Sequence, residues 1–237
     1  MPRLRPTPEA ILFDIDGTLL VDSSDHLAHL LDAIGAEQGH LPALRMDGER
    51  PLIDERDMSG WIDGQVVDEL LTPTAEARER VISDYVARFR RALASGASSP
   101  GTAVPALLET LHALASRGIR LGLSTGNVAG AAWAKVERIV PRAHEVFEDP
   151  GELGAVAGTR ADVVSNSLRL MNLDTDRDLV WVIGDTTADM TAARATGAVP
   201  IGVLTGAARE EELREAGAEH VVPDVAALPA LIDSYAS

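Results

Sequence analysis

The chain has 237 residues, a formal net charge of −16 and no cysteine. The absence of cysteine excludes disulfide bonds, thiolate metal sites and thiol catalysis, and the acidic charge predicts that neither nucleic acid nor a membrane is a partner. The length suits one α/β domain with a smaller companion domain. Because no long apolar segment follows the first residues, we expect a cytoplasmic protein.

Short apolar runs that end in polar turns predict the strands, at residues 11–13, 119–124, 179–183 and 199–204. The runs at 11–13 and 179–183 are apolar on both faces, which is typical of buried parallel strands. Helical patterns occupy residues 104–116, 161–171, 188–196 and 210–216. This alternation predicts an α/β fold with a doubly wound, Rossmann-like parallel sheet, in which functional groups gather at the carboxyl ends of the strands.

The segment after the first predicted strand has a different pattern. Apolar residues repeat at helical spacing from Leu27, from Val66 and from Val81, and no strand is predicted among them. We therefore predict a small α-helical cap domain at residues 22–95, inserted into a core domain of residues 1–21 and 96–237. We expect His26 and His29, at i and i+3, to lie on a helix surface.

The first motif, Asp14-Ile15-Asp16-Gly17-Thr18, directly follows a predicted strand. A carboxylate at a strand end can attack phosphorus and form an aspartyl phosphate. A second carboxylate nearby can protonate the leaving oxygen and later activate water. The alternative is an ordinary turn, because Asp-Gly-Thr also favours turns.

Asp185 and Asp189 form a second acidic motif, again after a predicted strand and at the start of a helix. Both carboxylates could face a cation beside Asp14, and Mg²⁺ prefers such oxygen ligands. The alternative is helix capping by Asp185 or Thr187. Capping does not explain why both acidic motifs fall at strand ends.

A third turn, Ser124-Thr125-Gly126-Asn127, offers a hydroxyl and backbone N–H groups that can hold phosphoryl oxygens. Phosphoryl transfer also needs a cation beside the nucleophile. Lys135, which is the single lysine of the chain, and Arg160 are the two candidates, and we prefer Arg160. We predict substrate contacts from Gly17 and Thr18 of the first motif and from Gly126 and Asn127 of this turn.

Together the three turns resemble those of the haloacid dehalogenase-like hydrolase superfamily. The resemblance implies that Asp14 is the nucleophile, Asp16 the general acid and base, and Thr125 the phosphate-binding hydroxyl. It also implies an Mg²⁺ ion held by Asp14, the main-chain carbonyl of Asp16, Asp185 and Asp189. The segments 201–207 and 216–218, and the helical cap after the first motif, resemble the phosphoglycolate phosphatase-like branch.

The chain departs from the family pattern where a lysine usually stands upstream of the last acidic motif, because Gly158-Thr159-Arg160 occupies that region. Arginine is common there in the branch whose middle motif reads Thr-Gly-Asn, although Lys135 also has a counterpart in that branch. The resemblance implies a Mg²⁺-dependent phosphatase that hydrolyses a small phosphorylated metabolite. A phosphomutase of the same fold and a non-catalytic module that binds a phosphometabolite are the alternatives. The cap residues Arg56, Asp57 and Ser59 are candidates for substrate selection.

Overall fold

The secondary structure is defined by the computed structural model, which describes residues 7–48, 50–149, 151–155 and 158–235. In chain order the strands are β1 (Ala10–Phe13), β2 (Leu20–Val21), β3 (Leu44–Asp47), β4 (Arg50–Ile53), β5 (Arg56–Asp57), β6 (Thr102–Ala103), β7 (Arg120–Leu123), β8 (Val180–Gly184), β9 (Val199–Val203) and β10 (His220–Val222). The helices are α1 (Asp25–Gln38), α2 (Asp63–Leu71), α3 (Ala75–Ser95), α4 (Leu107–Ser116), α5 (Ala129–Ile139), α6 (Ala143–Val146), α7 (Arg160–Leu170), α8 (Thr187–Ala195), α9 (Glu210–Glu215) and α10 (Leu228–Tyr235).

A parallel sheet of five strands, in the order β10-β9-β8-β1-β7, forms the centre of the fold. Helices cover both of its faces. Ile11 and Phe13 of β1 pack in a cluster with α4, α5 and α10, whereas Ala10 and Leu12 pack on the opposite side with α7 and α8. The predicted doubly wound sheet is confirmed. Its predicted strands correspond to β1, β7, β8 and β9, and β10 was not predicted.

The insert between β2 and β6 contains the three predicted helices, α1, α2 and α3. It also contains an antiparallel sheet of β3, β4 and β5, so the prediction that no strand lies in this segment is wrong. These strands are short and mostly half-buried or exposed, which leaves no alternating apolar pattern to detect. Asp54 and Glu55 form the turn between β4 and β5, and both have positive φ.

The insert packs around its own apolar cluster, to which Tyr85 and Phe89 of α3 contribute fully buried rings. This cluster also takes in Val128 and Ala131 at the start of α5, so the cap and the core share a packed boundary. The strands β2 and β6 pair antiparallel where the chain leaves the core and returns to it. The domain division at residues 22–95 stays a prediction.

Backbone hydrogen bonds join the insert to the core. The N–H of Asp63 donates to the carbonyl of Gly126 at 2.8 Å, and the N–H of Gly64 donates to the carbonyl of Gly154 at 2.9 Å. The N–H of Gly154 donates in turn to the carbonyl of Asn127 at 2.9 Å. We call residues 63–64, 126–127 and 154 the cap junction. It fixes the start of α2 against the turn that follows β7.

The close packing of the cap junction predicts that one added methyl group strongly destabilises the folded protein. A Cβ at residue 154 would lie 1.7 Å from the carbonyl oxygen of Gly126, and that backbone is itself hydrogen-bonded. We expect Gly154→Ala to lower the free energy of unfolding by about 2 kcal/mol or more. Thermal unfolding followed by circular dichroism measures this change.

Gly39→Ala is the matched control for this experiment. A Cβ at residue 39 meets no atom within 4 Å, but its φ of +77° is left-handed. The control therefore loses only the conformational term of about 1 kcal/mol. Equal losses in the two variants would contradict the tight contact at the cap junction.

Candidate active site

The three polar turns meet at the carboxyl edge of the parallel sheet. Asp14 directly follows β1, Thr125 comes shortly after β7, and Asp185 directly follows β8. The end of β1 pairs in register with the ends of both neighbouring strands. Because these three strands end at the same level, all three side chains line one cavity beneath the cap.

Three buried carboxylates, those of Asp14, Asp185 and Asp189, each place one oxygen within 4.8 Å of the other two. We call these residues the acidic trio. The N–H of Ala207 donates to Oδ2 of Asp185 at 2.7 Å. The backbone N–H and the hydroxyl of Thr186 donate to Oδ2 of Asp189 at 3.1 and 2.6 Å.

These contacts test the alternative that the second acidic motif only caps α8. The N-cap of α8 is Thr186 and not Asp185, and Asp189 completes the capping box through Oδ2. Capping therefore accounts for one oxygen of Asp189. Its other oxygen, Oδ1, lies 2.7 Å from Nη2 of Arg160.

The two candidate cations contact different carboxylates. Nη2 of Arg160 lies 2.7 Å from Oδ1 of Asp14 as well as from Asp189, and it donates to the carbonyl of Ser124 at 2.9 Å. Nζ of Lys135 lies instead 2.7 and 2.8 Å from the two carboxylate oxygens of Asp16. Both cations are buried. Arg160 thus lies beside Asp14, whereas Lys135 lies beside Asp16.

Two further side chains surround the Asp16–Lys135 pair. Nδ2 of Asn127 donates to Oδ2 of Asp16 at 2.8 Å. Nδ1 of His26 lies 2.8 Å from Nζ of Lys135, and burial lowers the pKa of His26 to about 4. His26 is 4% exposed, so its expected position on a helix surface is wrong. His29 is half-buried and hydrogen-bonded to Ser98.

The two carboxyls of the first motif differ in their proton affinity. Burial raises the pKa of Asp14, Arg160 lowers it and neighbouring carboxylates raise it again, with a result of about 6. Burial also raises the pKa of Asp16, but the Lys135 ammonium and His26 outweigh that effect and bring it to about 2. Asp16 is therefore ionised at neutral pH, whereas Asp14 titrates close to neutral pH.

The acidic trio is electrostatically unfavourable without a further cation. Burial and the charges of Asp14 and Asp189 raise the pKa of Asp185 well above its usual range. Arg160 supplies one positive charge to two members of the trio. Oxygen ligands in a compact cluster suit Mg²⁺, which takes carboxylates together with water and substrate oxygens. The residues therefore fit a magnesium ion.

The other predicted site residues have distinct positions. Thr125 and Gly126 line the cavity, as does Gly17, where a Cβ would lie 2.5 Å from the Asp185 carboxylate. Thr18 is not among the lining residues; it is buried, and its hydroxyl contacts Oδ1 of Asp185 at 3.4 Å. Thr18 therefore supports an acidic residue from outside the cavity.

The cap contributes residues that the sequence did not indicate. Asp63, at the start of α2, lines the cavity, and its Oδ2 accepts from the N–H of Val128 at 2.8 Å. Of the proposed selectors, Ser59 lines the cavity. Arg56 and Asp57 do not line it and are exposed. An acidic helix start was the available signal for Asp63, but many surface helices share it.

Comparison with known proteins shows the family of the chain. A family model described as haloacid dehalogenase-like hydrolase matches residues 8–197. The chain is 31% identical over 227 residues to a protein named phosphoglycolate phosphatase from Rhodospirillum rubrum, a match that covers 93% of this chain and 89% of that protein. The chain belongs to the haloacid dehalogenase-like hydrolase family, as its motifs predicted.

One further relative and one solved structure are also similar to the chain. A protein named probable phosphatase IndB from Dickeya dadantii is 27% identical, with 90% of this chain and 88% of that protein covered. The crystal structure of a predicted phosphatase from Clostridium acetobutylicum has the same fold, with a TM-score of 0.71, 21% identity, and 97% of this chain and 100% of that chain covered. The predicted class, a phosphatase-type hydrolase of this family, is confirmed. In the described part of the chain, no helix has the length and apolar character needed to cross a membrane.

We expect Mg²⁺ to stabilise the folded protein, because it would bind the acidic trio only when the trio is assembled. At a concentration 100 times its dissociation constant, a ligand adds about 2.7 kcal/mol, which for a chain of this size is a rise in Tm of roughly 5–10 °C. The rise will be smaller at pH 5 than at pH 8, because protons compete for Asp14, whose pKa is about 6. Differential scanning fluorimetry with Mg²⁺ or EDTA measures both effects.

Asp185→Asn tests whether the trio is responsible, and Asp176→Asn is its control. Asp176 is exposed and precedes β8, so it lies at the opposite end of that strand from Asp185. Only Asp185→Asn should abolish the Mg²⁺ effect. An equal Mg²⁺ response in both variants would contradict the assignment of the metal site.

Proposed function

We propose that this protein is a Mg²⁺-dependent phosphatase that hydrolyses a small phosphate monoester through an aspartyl phosphate on Asp14. The observation that carries the proposal is the Asp14 carboxylate, buried at the sheet edge beside Asp185 and Asp189 and held by Arg160 at 2.7 Å. The names of the relatives support a phosphate ester as substrate. A cytoplasmic location remains a prediction from the sequence.

In the first half of the reaction a carboxylate oxygen of Asp14 attacks phosphorus, and the ester P–O bond breaks. The departing oxygen takes a proton from Asp16 and leaves as an alcohol. Because the pKa of Asp16 is about 2, this carboxyl has to receive its proton after the substrate binds. A phosphate monoester that binds as its monoanion carries such a proton into the site.

In the second half Asp16 accepts a proton from water, whose oxygen attacks phosphorus. The bond between phosphorus and Asp14 breaks, so inorganic phosphate forms and the carboxylate is restored. The ionised state that Lys135 and Asn127 favour at Asp16 suits this step. Arg160 and the hydroxyl of Thr125 would hold equatorial phosphoryl oxygens.

The metal and the cap complete the proposal. Mg²⁺, held by Asp14, the Asp16 carbonyl, Asp185 and Asp189, would neutralise phosphoryl charge. The cap domain at residues 22–95 would cover the site and exclude bulk water. The backbone bonds of the cap junction support this, because they tie the cap to the turn that bears Thr125.

The proposal predicts that phosphate release depends on Asp14. With Mg²⁺ and p-nitrophenyl phosphate, we expect Asp14→Asn to lower kcat by at least about 10³-fold, since the nucleophile is lost. Asp176→Asn should retain the wild-type rate. Inorganic phosphate is measured in parallel with and without EDTA.

Other outcomes would identify the alternatives. Isomerised sugar phosphates without inorganic phosphate would indicate a phosphomutase. Binding of phosphate without turnover would indicate a binding module. Either result would overturn the phosphatase proposal.

We expect the loss of Arg160 and the loss of Lys135 to cause different kinetic defects. Arg160→Met should lower the highest value of kcat/KM by about 10²–10³-fold, because transition-state charge loses its partner. Because Arg160 also lowers the pKa of Asp14, its loss should move the acidic limb of the pH–rate profile to higher pH. Lys135→Met should raise the pKa of Asp16 from about 2 but leave the acidic limb in place, because Asp14, whose pKa is about 6, sets that limb. The measurement is kcat/KM from pH 4 to 9, with folding checked by circular dichroism. An acidic limb that stays in place with Arg160→Met, or moves with Lys135→Met, would contradict these roles.

A further inference from the structure

The cavity wall that faces the leaving group comes largely from the cap and is largely apolar, although Ser23, Ser24 and Ser59 also line it. The apolar cap residues that line it are Leu27, Met46, Pro51, Met58, Trp61 and Val66. They come from α1, α2, the cap sheet and the loop between β5 and α2. The cavity measures about 100 Å³, which favours a short leaving group.

Basic side chains in this cavity are already engaged. Among the described residues that line it, the basic ones are Arg160 and His26. Arg160 contacts two carboxylates of the acidic trio. His26 contacts Lys135 and is neutral at pH 7, because burial lowers its pKa to about 4. Neither offers an uncommitted positive charge to a leaving group.

Arginines of the cap sheet are directed elsewhere. Arg45 pairs with Glu55 at 3.1 Å, and Arg56 pairs with Glu69. Arg50 reaches across to the core and pairs with Glu212 at 2.7 Å. None of these arginines lines the cavity.

The N-terminus of α2 is also unsuited to a second anion. The first N–H groups of α2, from Asp63 and Gly64, donate to carbonyls of the cap junction. Asp25 adds a negative charge to the first turn of α1, although it lies outside the cavity lining, where Ser23 and Ser24 are the residues at the start of this helix. Asp63 places one more carboxyl in the cavity. A carboxylate on the leaving group would therefore meet acidic, apolar and hydroxyl groups without an uncommitted cation.

We infer that the substrate is a phosphate monoester of a small, uncharged alcohol, and that the cap disfavours leaving groups with a carboxylate. This inference rests on the proposed phosphatase function and narrows its substrate class. The inferred substrate therefore differs from phosphoglycolate, which is the ester in the name of the Rhodospirillum rubrum relative. Apolar contacts with the cap, and not an ion pair, hold the leaving group.

A matched pair of esters tests the inference. 2-Phosphoglycolate and its amide, 2-phosphoglycolamide, have the same number of non-hydrogen atoms and differ in the charge of the leaving group. With Mg²⁺ we expect kcat/KM for the amide to exceed that for the carboxylate by at least tenfold. Equal values, or a preference for the carboxylate, would overturn the inference and leave the phosphatase proposal intact.

A charge variant tests the cause. Met46→Arg places a cation on the half-buried wall of the cavity and should raise the carboxylate-to-amide ratio of kcat/KM by at least tenfold. Leu41→Arg adds the same charge at a cap position that is 59% exposed and outside the cavity, and should leave the ratio unchanged. The same rise in both variants would overturn the role of the cavity wall.

The pair of esters decides the inference in the wild-type protein even if Met46→Arg fails to fold. Hydrolysis of p-nitrophenyl phosphate with release of phosphate from neither ester would overturn it, because a small neutral leaving group should be accepted. Failure to release phosphate from any ester would overturn the proposed function, and the inference with it.

Discussion

The site depends on one electrostatic constraint, the packing of several carboxylates into a buried volume. Charges of equal sign repel strongly where water is excluded. Arg160 offsets part of this repulsion, because its planar guanidinium stays charged and contacts Asp14 and Asp189 together. The remaining negative charge has to be neutralised by protons or by a metal ion. An apparently unfavourable cluster is thus a site that attracts a cation.

The same constraint divides the first motif into two chemical roles. Asp14 and Asp16 are two residues apart, yet the pKa of one is about 6 and that of the other about 2. Their neighbours explain the difference in pKa. Asp14 shares the positive charge of Arg160 with Asp189, whereas Asp16 forms an ion pair with Lys135. Groups whose environments separate their pKa values in this way are typical of acid and base pairs. The two cations are therefore not interchangeable.

The sequence predicts features that leave a local pattern and does not predict features that depend on tertiary packing. β1 and β8 were predictable because burial on both faces leaves an apolar run. The carboxyl ends of parallel strands meet at one edge of the sheet, which brings Asp14 and Asp185 together. The cap strands lack such a run. His26 was misassigned because the i, i+3 spacing of His26 and His29 does not reveal that Lys135 lies against the ring. Sequence alone left Arg160 and Lys135 as alternatives, since their distances from Asp14 depend on tertiary packing.

The core and the cap are subject to different chemical demands. The core turns would contact the phosphoryl group, which all phosphate esters share, so their motifs identify the family without identifying the alcohol. The cap would contact the leaving group, and its wall here is largely apolar. A leaving group with its own carboxylate needs its own cation. Among the described residues that line this cavity, the basic ones are Arg160 and His26, and both already contact neighbouring side chains. A relative that is 31% identical can therefore share the chemistry of this site and still select a different ester.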